Sequence, residues 1–278
     1  ETSKQNKRCQ NLIEFKSVSL AYHSIKGEDR QVFKDLDLKI KEGDHIALIG
    51  TNGAGKSSLM KMMVNLLKNY QGAILFKGED IKKMRTSDLV RKISLVYQNP
   101  EQMFIKDDIE NDISFALRAR NLDYEKRTQE LLERFDLVAL RKRDGRLLSG
   151  GQMRRASLAI GIALDPEILL LDEPTANLDM ATRKDIMHTL KQMDDVIKSA
   201  IIATHDMQLV AEWANRIIVL HEGRIVGDGD REAIFGSAKI LDEVKIRPPQ
   251  IFELGQRLEK SAMIYTVEEF MESFKQHV

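Results

Sequence analysis

A single cysteine, Cys9, is all the thiol chemistry available to this 278-residue chain. A lone thiol cannot close an internal disulfide, so a stapled fold is excluded and a reducing, cytosolic setting is expected. Long apolar segments are missing as well. Runs such as Ile168–Leu171 and Ile217–Leu220 are strand-sized, far short of the ~20 residues that span a bilayer. The opening stretch 1–11 is polar, with no apolar signal core. Any membrane role must then come through a partner. Nor is there an excess of charge of either sign, since 43 Lys+Arg balance 43 Asp+Glu. That balance gives no electrostatic reason to expect nucleic acid as a partner. Internal repeats and low-complexity tracts are absent.

What is present suits one large α/β domain with a modest appendage, long enough to bury most of its unfolded surface. Ile13–Leu20 and Val32–Ile40 alternate apolar and polar residues like half-buried strands. His45–Ile49, Ala73–Lys77, Ile93–Tyr97, Ile168–Leu171 and Ala200–Ala203 read as further strands. Ile217–Leu220 and Arg224–Gly227 read as a hairpin. Helical spacing marks Ser57–Leu67, Ile109–Arg120, Tyr124–Phe135, Met153–Leu164, Thr182–Met193 and Gln208–Ala214. Strands alternating with helices imply a mostly parallel core sheet covered on both faces. The early alternating strands suggest a separate antiparallel β subdomain. The helix-only stretch suggests an inserted helical subdomain over about 100–164. Residues 1–11 read as a disordered lead-in, and 230–278 as a mostly helical C-terminal extension broken at Pro248–Pro249.

The strand His45–Ile49 runs into Gly50-Thr51-Asn52-Gly53-Ala54-Gly55-Lys56-Ser57, which satisfies G-x-x-x-x-G-K-[ST]. Glycines let successive backbone N–H groups turn inward onto phosphate oxygens. The helix that follows adds its positive end. Lys56 supplies a cation for the β- and γ-phosphates, and Ser57 a hydroxyl for Mg²⁺. Ser58 follows directly and joins the candidate nucleotide residues. The fold expected is therefore a P-loop NTPase, with ATP and Mg²⁺ as cofactors. Ile168–Leu171 ends in Asp172-Glu173, at the strand tips where ligands collect in such sheets. Asp172 is placed to hold Mg²⁺, and Glu173 to polarise an attacking water as general base.

Leu148-Ser149-Gly150-Gly151-Gln152, about twenty residues before that acidic strand, resembles the signature of ATP-binding cassette (ABC) proteins. Other elements follow in family order over residues 13–229. Tyr22 resembles the adenine-stacking aromatic. Gln98 resembles the lid glutamine that senses Mg²⁺ and the membrane partner. Ala176-Asn177-Leu178-Asp179 resembles the loop that crosses the dimer interface, and His205 the switch histidine of the γ-phosphate. The resemblance implies an ATPase domain over 12–229, with Glu173, His205 and Lys56 as catalytic residues. It also implies a mate. Ser149–Gln152, a second anion-binding helix start, serves the ATP held on the phosphate loop of another cassette, in a homodimer, heterodimer or tandem fusion. The start at Glu1 and the polar lead-in fit the second cassette of a fusion and equally a trimmed single chain.

A narrower resemblance points to energy-coupling-factor importers. Val96–Phe104, Asp107–Leu117, Gly151-Gln152-Met153-Arg154-Arg155 and the proline-containing Ile246–Leu254 are similar to segments of that group. Asp144–Leu147 departs from it where many members have proline. The group implies a cytoplasmic, peripheral membrane location, docked on a transmembrane coupling subunit. A separate membrane-embedded subunit binds the cargo, a vitamin or metal ion. The alternative within transport is the ATPase of a conventional ABC importer or exporter. A ribosome or DNA-end ATPase lacks support, because neither a charged inter-cassette linker nor a coiled-coil insertion is present.

Overall fold

A computed structural model describes residues 10–22, 29–193, 197–258 and 263–275, with 274 and 275 described by backbone only. The lead-in expected over 1–11 lies mostly outside these residues; its last residue, Asn11, already opens a strand.

Among the described residues the strands form two sheets. β1 (Asn11–Tyr22) and β2 (Arg30–Lys41) pair antiparallel, and both extend past the ends predicted from alternation. The alternation of β1 changes phase at a bulge. Ser17 takes φ +46, and the register shifts between Phe15 and Val18. The shift puts Val18 and Leu20 on the buried side with Ile13 and Phe15. A six-residue strand, β3 (His45–Gly50), then enters the second sheet. β4 (Tyr70–Phe76) and β5 (Glu79–Asp80) complete the first, in the order β2-β1-β4-β5.

The second sheet adds β6 (Ile93–Val96), β7 (Ile168–Asp172), β8 (Ser199–Ala203), β9 (Arg216–His221) and β10 (Arg224–Gly229). Its order is β10-β9-β3-β8-β7-β6, parallel throughout except for the β9–β10 hairpin. β7 and β8 are apolar runs buried on both faces, as strands of a covered parallel sheet must be. The register is what builds a site. Leu48 and Asp172 both pair with Ala203, so the ends of β3, β7 and β8 emerge side by side.

Two helices precede β6. α1 (Lys56–Met63) begins at the first lysine of the phosphate loop and is four residues shorter at its end than the pattern predicts. There Asn65 takes φ +58, and the amides of Leu66 and Leu67 fold back onto the Lys61 carbonyl. α2 (Thr86–Lys92) was not foreseen; only Leu89 of it is buried, so it has no apolar period to read.

The inserted helical layer contains α3 (Ile109–Arg118), α4 (Tyr124–Arg134) and α5 (Gly150–Ile162). Ile113, Leu131, Phe135 and Leu158 share one core there with Leu169 and Leu171 of β7. α5 starts three residues earlier than its apolar spacing suggests. Ser149 caps it, and a reciprocal capping box with Gln152 draws Gly150 and Gly151 into the first turn. Near its far end, a Cβ on Gly161 would stand 2.5 Å from Val96 of β6, so only glycine lets α5 lie this close to the sheet.

α6 (Met180–Lys191) and α7 (Met207–Trp213) cover the same face of the sheet as α5, with Ile186, Leu190, Leu209 and Trp213 in the core of Leu158, Leu169 and Leu171. After β10 come α8 (Arg231–Phe235), α9 (Ala238–Val244), α10 (Gln250–Leu258) and α11 (Val267–Lys275). They share a core with the sheet: Phe235, Phe252 and Tyr265 pack with Ile49, Val210, Ile217 and Val219. Tyr265 is fully buried, stacked on Phe252 at 5.2 Å. The C-terminal helices are thus packed onto the core sheet.

Candidate nucleotide site

A cleft of about 1310 Å³ opens at the ends of β3, β7 and β8. The phosphate loop forms its floor, contributing Asn52, Gly53, Gly55, Lys56 and Ser57 to the lining. The loop turns tightly, with the Ala54 amide on the Thr51 carbonyl at 3.1 Å, and Ala54 itself is buried. Gly53 and Gly55 both have positive φ, as the sequence pattern requires. Tyr22 flanks the loop at the end of β1, 43% exposed, and its hydroxyl lies 2.9 Å from that of Ser58. From the opposite strand Arg30, the register partner of Tyr22, donates to the Gly53 carbonyl at 3.4 Å.

The charged groups converge across large sequence distances. Lys56 Nζ donates to the carbonyls of Gly50 (2.8 Å) and Thr51 (3.3 Å), and lies 3.4 Å from His205 Nε2. That same Nε2 is 3.3 Å from Glu173 Oε1. A neutral imidazole nitrogen either accepts from Lys56 or donates to Glu173, one at a time. The His205 amide donates to Glu173 Oε2 at 3.3 Å. Glu173 is held in the left-handed region, φ +48, by its amide bond to the Ala203 carbonyl at 2.8 Å. Such a conformation costs of order 1–3 kcal/mol in a non-glycine residue. It turns the carboxylate from the strand into the cleft, beside Asp172.

Burial drives the electrostatics. It lowers the Lys56 ammonium pKa, opposed by the carboxylates of Glu173 and Asp172. It lowers that of His205, with the nearby Lys56 charge acting in the same direction, so the ring is neutral at pH 7. Burial raises that of Glu173 above its ordinary 4.5, against the His205 amide and Lys56. A general base must be ionised to work. In the general-base role the sequence leads one to expect of Glu173, the pH profile would have its acid limb above pH 4.5, with activity present above the raised pKa and lost as pH falls through it. A kcat/KM-versus-pH series checks this; an acid limb at or below 4.5 would contradict it.

Gln98 also lines the cleft, just beyond β6. Asp179 is placed differently. It caps α6, with Oδ1 accepting from the amides of Ala181 and Thr182 at 3.0 Å each and Oδ2 from the Thr182 hydroxyl at 2.6 Å. Its neighbours Ala176 and Asn177 reach the cleft. Ser149, Gly150, Gly151 and Gln152 are not among the lining residues. Ser149 and Gln152 bond each other in the cap, the Ser149 amide donating to Gln152 Oε1 at 3.1 Å and the Gln152 amide to the Ser149 hydroxyl at 3.4 Å.

Several contributors went unread in the sequence. Asp206 accepts from Thr175 (3.2 Å) and pairs with Arg183 (3.4 Å), tying Thr175 and α6 to the residue next to His205. Arg154 of α5 is buried and donates to the carbonyls of Tyr97 (3.0 Å) and Gln98 (2.8 Å). The C-terminal extension adds Arg247, Pro248, Gln250 and Thr266 to the cleft wall. In the sequence, Arg154 and Arg247–Gln250 stood only within segments similar to those of energy-coupling-factor importers, and Thr175, Arg183, Asp206 and Thr266 carried no signal of their own.

The family model described as "ABC transporter" matches residues 33–176. The chain is 33% identical over 270 residues to the energy-coupling factor transporter ATP-binding protein EcfA2 of Clostridium tetani, covering 92% of this chain and 94% of that one. Among solved structures it resembles cbiO1 from Clostridium perfringens, described as part of the ABC transporter complex cbiONQ. The TM-score is 0.73 at 29% identity, over 88% of this chain and 98% of that one. It also resembles an ATP-binding cassette solved as a dimer in a post-hydrolysis state with ADP and Pi, with TM-score 0.69 at 26% identity, over 78% of this chain and 98% of that one. With a phosphate loop, an acidic strand end and a histidine converging on one cleft, and with these likenesses over most of its length, the chain belongs to the ABC transporter family of ATP-binding cassettes.

Proposed function

We propose that this chain is the ATP-binding and ATP-hydrolysing subunit that energises import through an energy-coupling-factor transporter. The observation that carries the reading is the convergence of Lys56 and Glu173 on His205 at the mouth of the phosphate loop, with contacts at 3.3–3.4 Å. Hydrolysis of this kind is positioning and electrostatics. The loop amides and Lys56 receive the β- and γ-phosphates, the lysine exchanging the Gly50 carbonyl for phosphate oxygen. Glu173 accepts the proton of the attacking water. His205 holds Glu173 through its amide, and its ring would serve the γ-phosphate. Tyr22 offers its half-exposed ring to the adenine.

A magnesium ion fits the donor set. Ser57, Gln98 and Asp172 offer one hydroxyl, one amide and one carboxylate, which suits a hard cation completed by phosphate oxygens. No group of three or more His, Cys, Asp or Glu that could hold a metal occurs among the described residues. When bound, the ion neutralises charge developing on the phosphates.

That Ser149–Gln152 do not line the chain's own cleft supports a two-cassette engine, in which each signature completes the other's site. ATP then favours the closed pair by binding it better than the open one. The likeness to the Clostridium tetani subunit and to a component of a cbiONQ complex supports the narrower assignment. On it, the chain works peripherally at the cytoplasmic face of the membrane. It acts with a second cassette, a transmembrane coupling subunit and a membrane subunit that binds a vitamin or metal ion. No described helix is long and apolar enough to cross a membrane. The test is affinity purification of the tagged chain from detergent-solubilised membranes. Recovery with a multi-helix membrane subunit, and ATPase activity that rises on reconstitution with it, is the expected result. Recovery with ribosomes instead would overturn the transport reading.

A further inference from the structure

Arg154 is 3% exposed, yet among the described residues no carboxylate comes within ion-pair distance of it and its Nε has no hydrogen-bond partner. Its two terminal nitrogens hold successive backbone carbonyls, Tyr97 at 3.0 Å and Gln98 at 2.8 Å. Burial lowers its pKa to about 10, with only the more distant Asp172 charge opposing. Burying a guanidinium without a counter-charge is a poor way to stabilise a fold, since apolar residues of similar size commonly do as well or better. A planar fork across two carbonyls does, however, fix position and angle together.

The two ends of that grip belong to different half-sites. Arg154 sits in α5, whose cap and first turn are Ser149–Gln152, about one helical turn away. Gln98 lines the chain's own cleft. A second contact, Gly161 packed against Val96, holds α5 close to β6 near its other end. The lid backbone and the signature helix are therefore fastened at two points.

We propose that Arg154 is the positioning residue that couples the two ATP half-sites within one chain: it makes the Tyr97–Gln98 backbone and the Ser149–Gln152 helix start move as one body. Nucleotide engaged by Gln98 in the chain's own cleft then orients the signature offered to the partner's nucleotide. The inference rests on the functional reading given above for Gln98 and for Ser149–Gln152.

The test compares wild type, Arg154→Met and Arg154→Lys as full-length chains in the assembled transporter, and as isolated chains for binding. Arg154→Met is expected to keep its Tm and to bind ATP as wild type does. Its kcat should fall at least about tenfold, within the usual range of site-to-site coupling, and the cooperativity of hydrolysis in ATP should disappear. Arg154→Lys should recover part of the rate, because one ammonium cannot hold both carbonyls in a fixed fork. Hydrogen exchange on the isolated chain gives an independent reading. ATP should protect the amides of residues 149–153 in wild type and leave them unprotected in Arg154→Met. Wild-type kcat and cooperativity in Arg154→Met would overturn the proposal. So would a failure of that variant to fold, or a rate loss that merely tracks a lowered Tm, either of which makes Arg154 a structural brace. Absence of ATP hydrolysis by the wild-type transporter would overturn the functional reading itself, and this inference with it.

Discussion

Replacing Glu173 by Gln is expected to lower kcat by about 10³-fold, in the middle of the range for loss of a general base, while ATP binding is retained. The amide preserves the side chain's shape and can still accept from the His205 amide, now 3.3 Å from Oε2. What it loses is the ability to take a proton from water. Bound ATP then persists, so the variant should accumulate as a closed pair of cassettes, visible as ATP-dependent dimer on size exclusion. The stability effect should run the opposite way. The pKa of Glu173 is raised in the folded chain, so folding binds protons there. Its charged form is a cost that grows as pH rises from the unfolded value through the folded one. Removing the charge should leave Tm at pH 7 unchanged or higher. Turnover at the wild-type rate would exclude Glu173 as the base. A large drop in Tm would show that the residue serves structure rather than chemistry.

Gly50→Ala should be among the most damaging single methyl additions at the described residues. Gly50 ends β3 with φ +148, a conformation open essentially to glycine, and a Cβ there would lie 2.0 Å from the Leu220 carbonyl oxygen. That carbonyl belongs to the paired strand β9, in register with Gly50 itself, so it cannot swing aside as a side chain would. Backbone strain of about 1–3 kcal/mol and overpacking of about 1–3 kcal/mol together predict a loss of about 2–6 kcal/mol in urea unfolding. ATP affinity should fall with it, because the Gly50 carbonyl anchors Lys56. A loss below about 1 kcal/mol with normal nucleotide binding would show that the sheet yields more easily than this geometry allows.

Much of this site could be read along the chain. The phosphate loop was legible because its chemistry is local: glycine positions, lysine and serine are contiguous, and their conformations follow from residue type. The buried strands β7, β8 and β9 were legible as short apolar runs. Helix starts were read less well, because capping rather than apolar spacing sets them. α5 begins at Gly150, where the Ser149–Gln152 box satisfies the free amides, and Gly150 and Gly151 carry no apolar period.

The sequence by itself determined the strand–loop–helix that cradles phosphate, the acidic strand end, and the order of elements that marks an ABC cassette. Tertiary structure alone decided the rest. Lys56 and His205 are 149 residues apart in the chain and meet at 3.4 Å. They meet because β3 and β8 are parallel neighbours whose ends coincide. Arg154 reaches the Gln98 carbonyl across 56 positions because α5 lies flat on β6. The C-terminal helices became a wall of the cleft because Tyr265 and Phe252 found their burial against the core sheet. Local patterns encode which side chains want to be buried and which backbones must turn. Which surfaces then meet is set by sheet order and register, a property of the whole packed chain that no contiguous stretch contains.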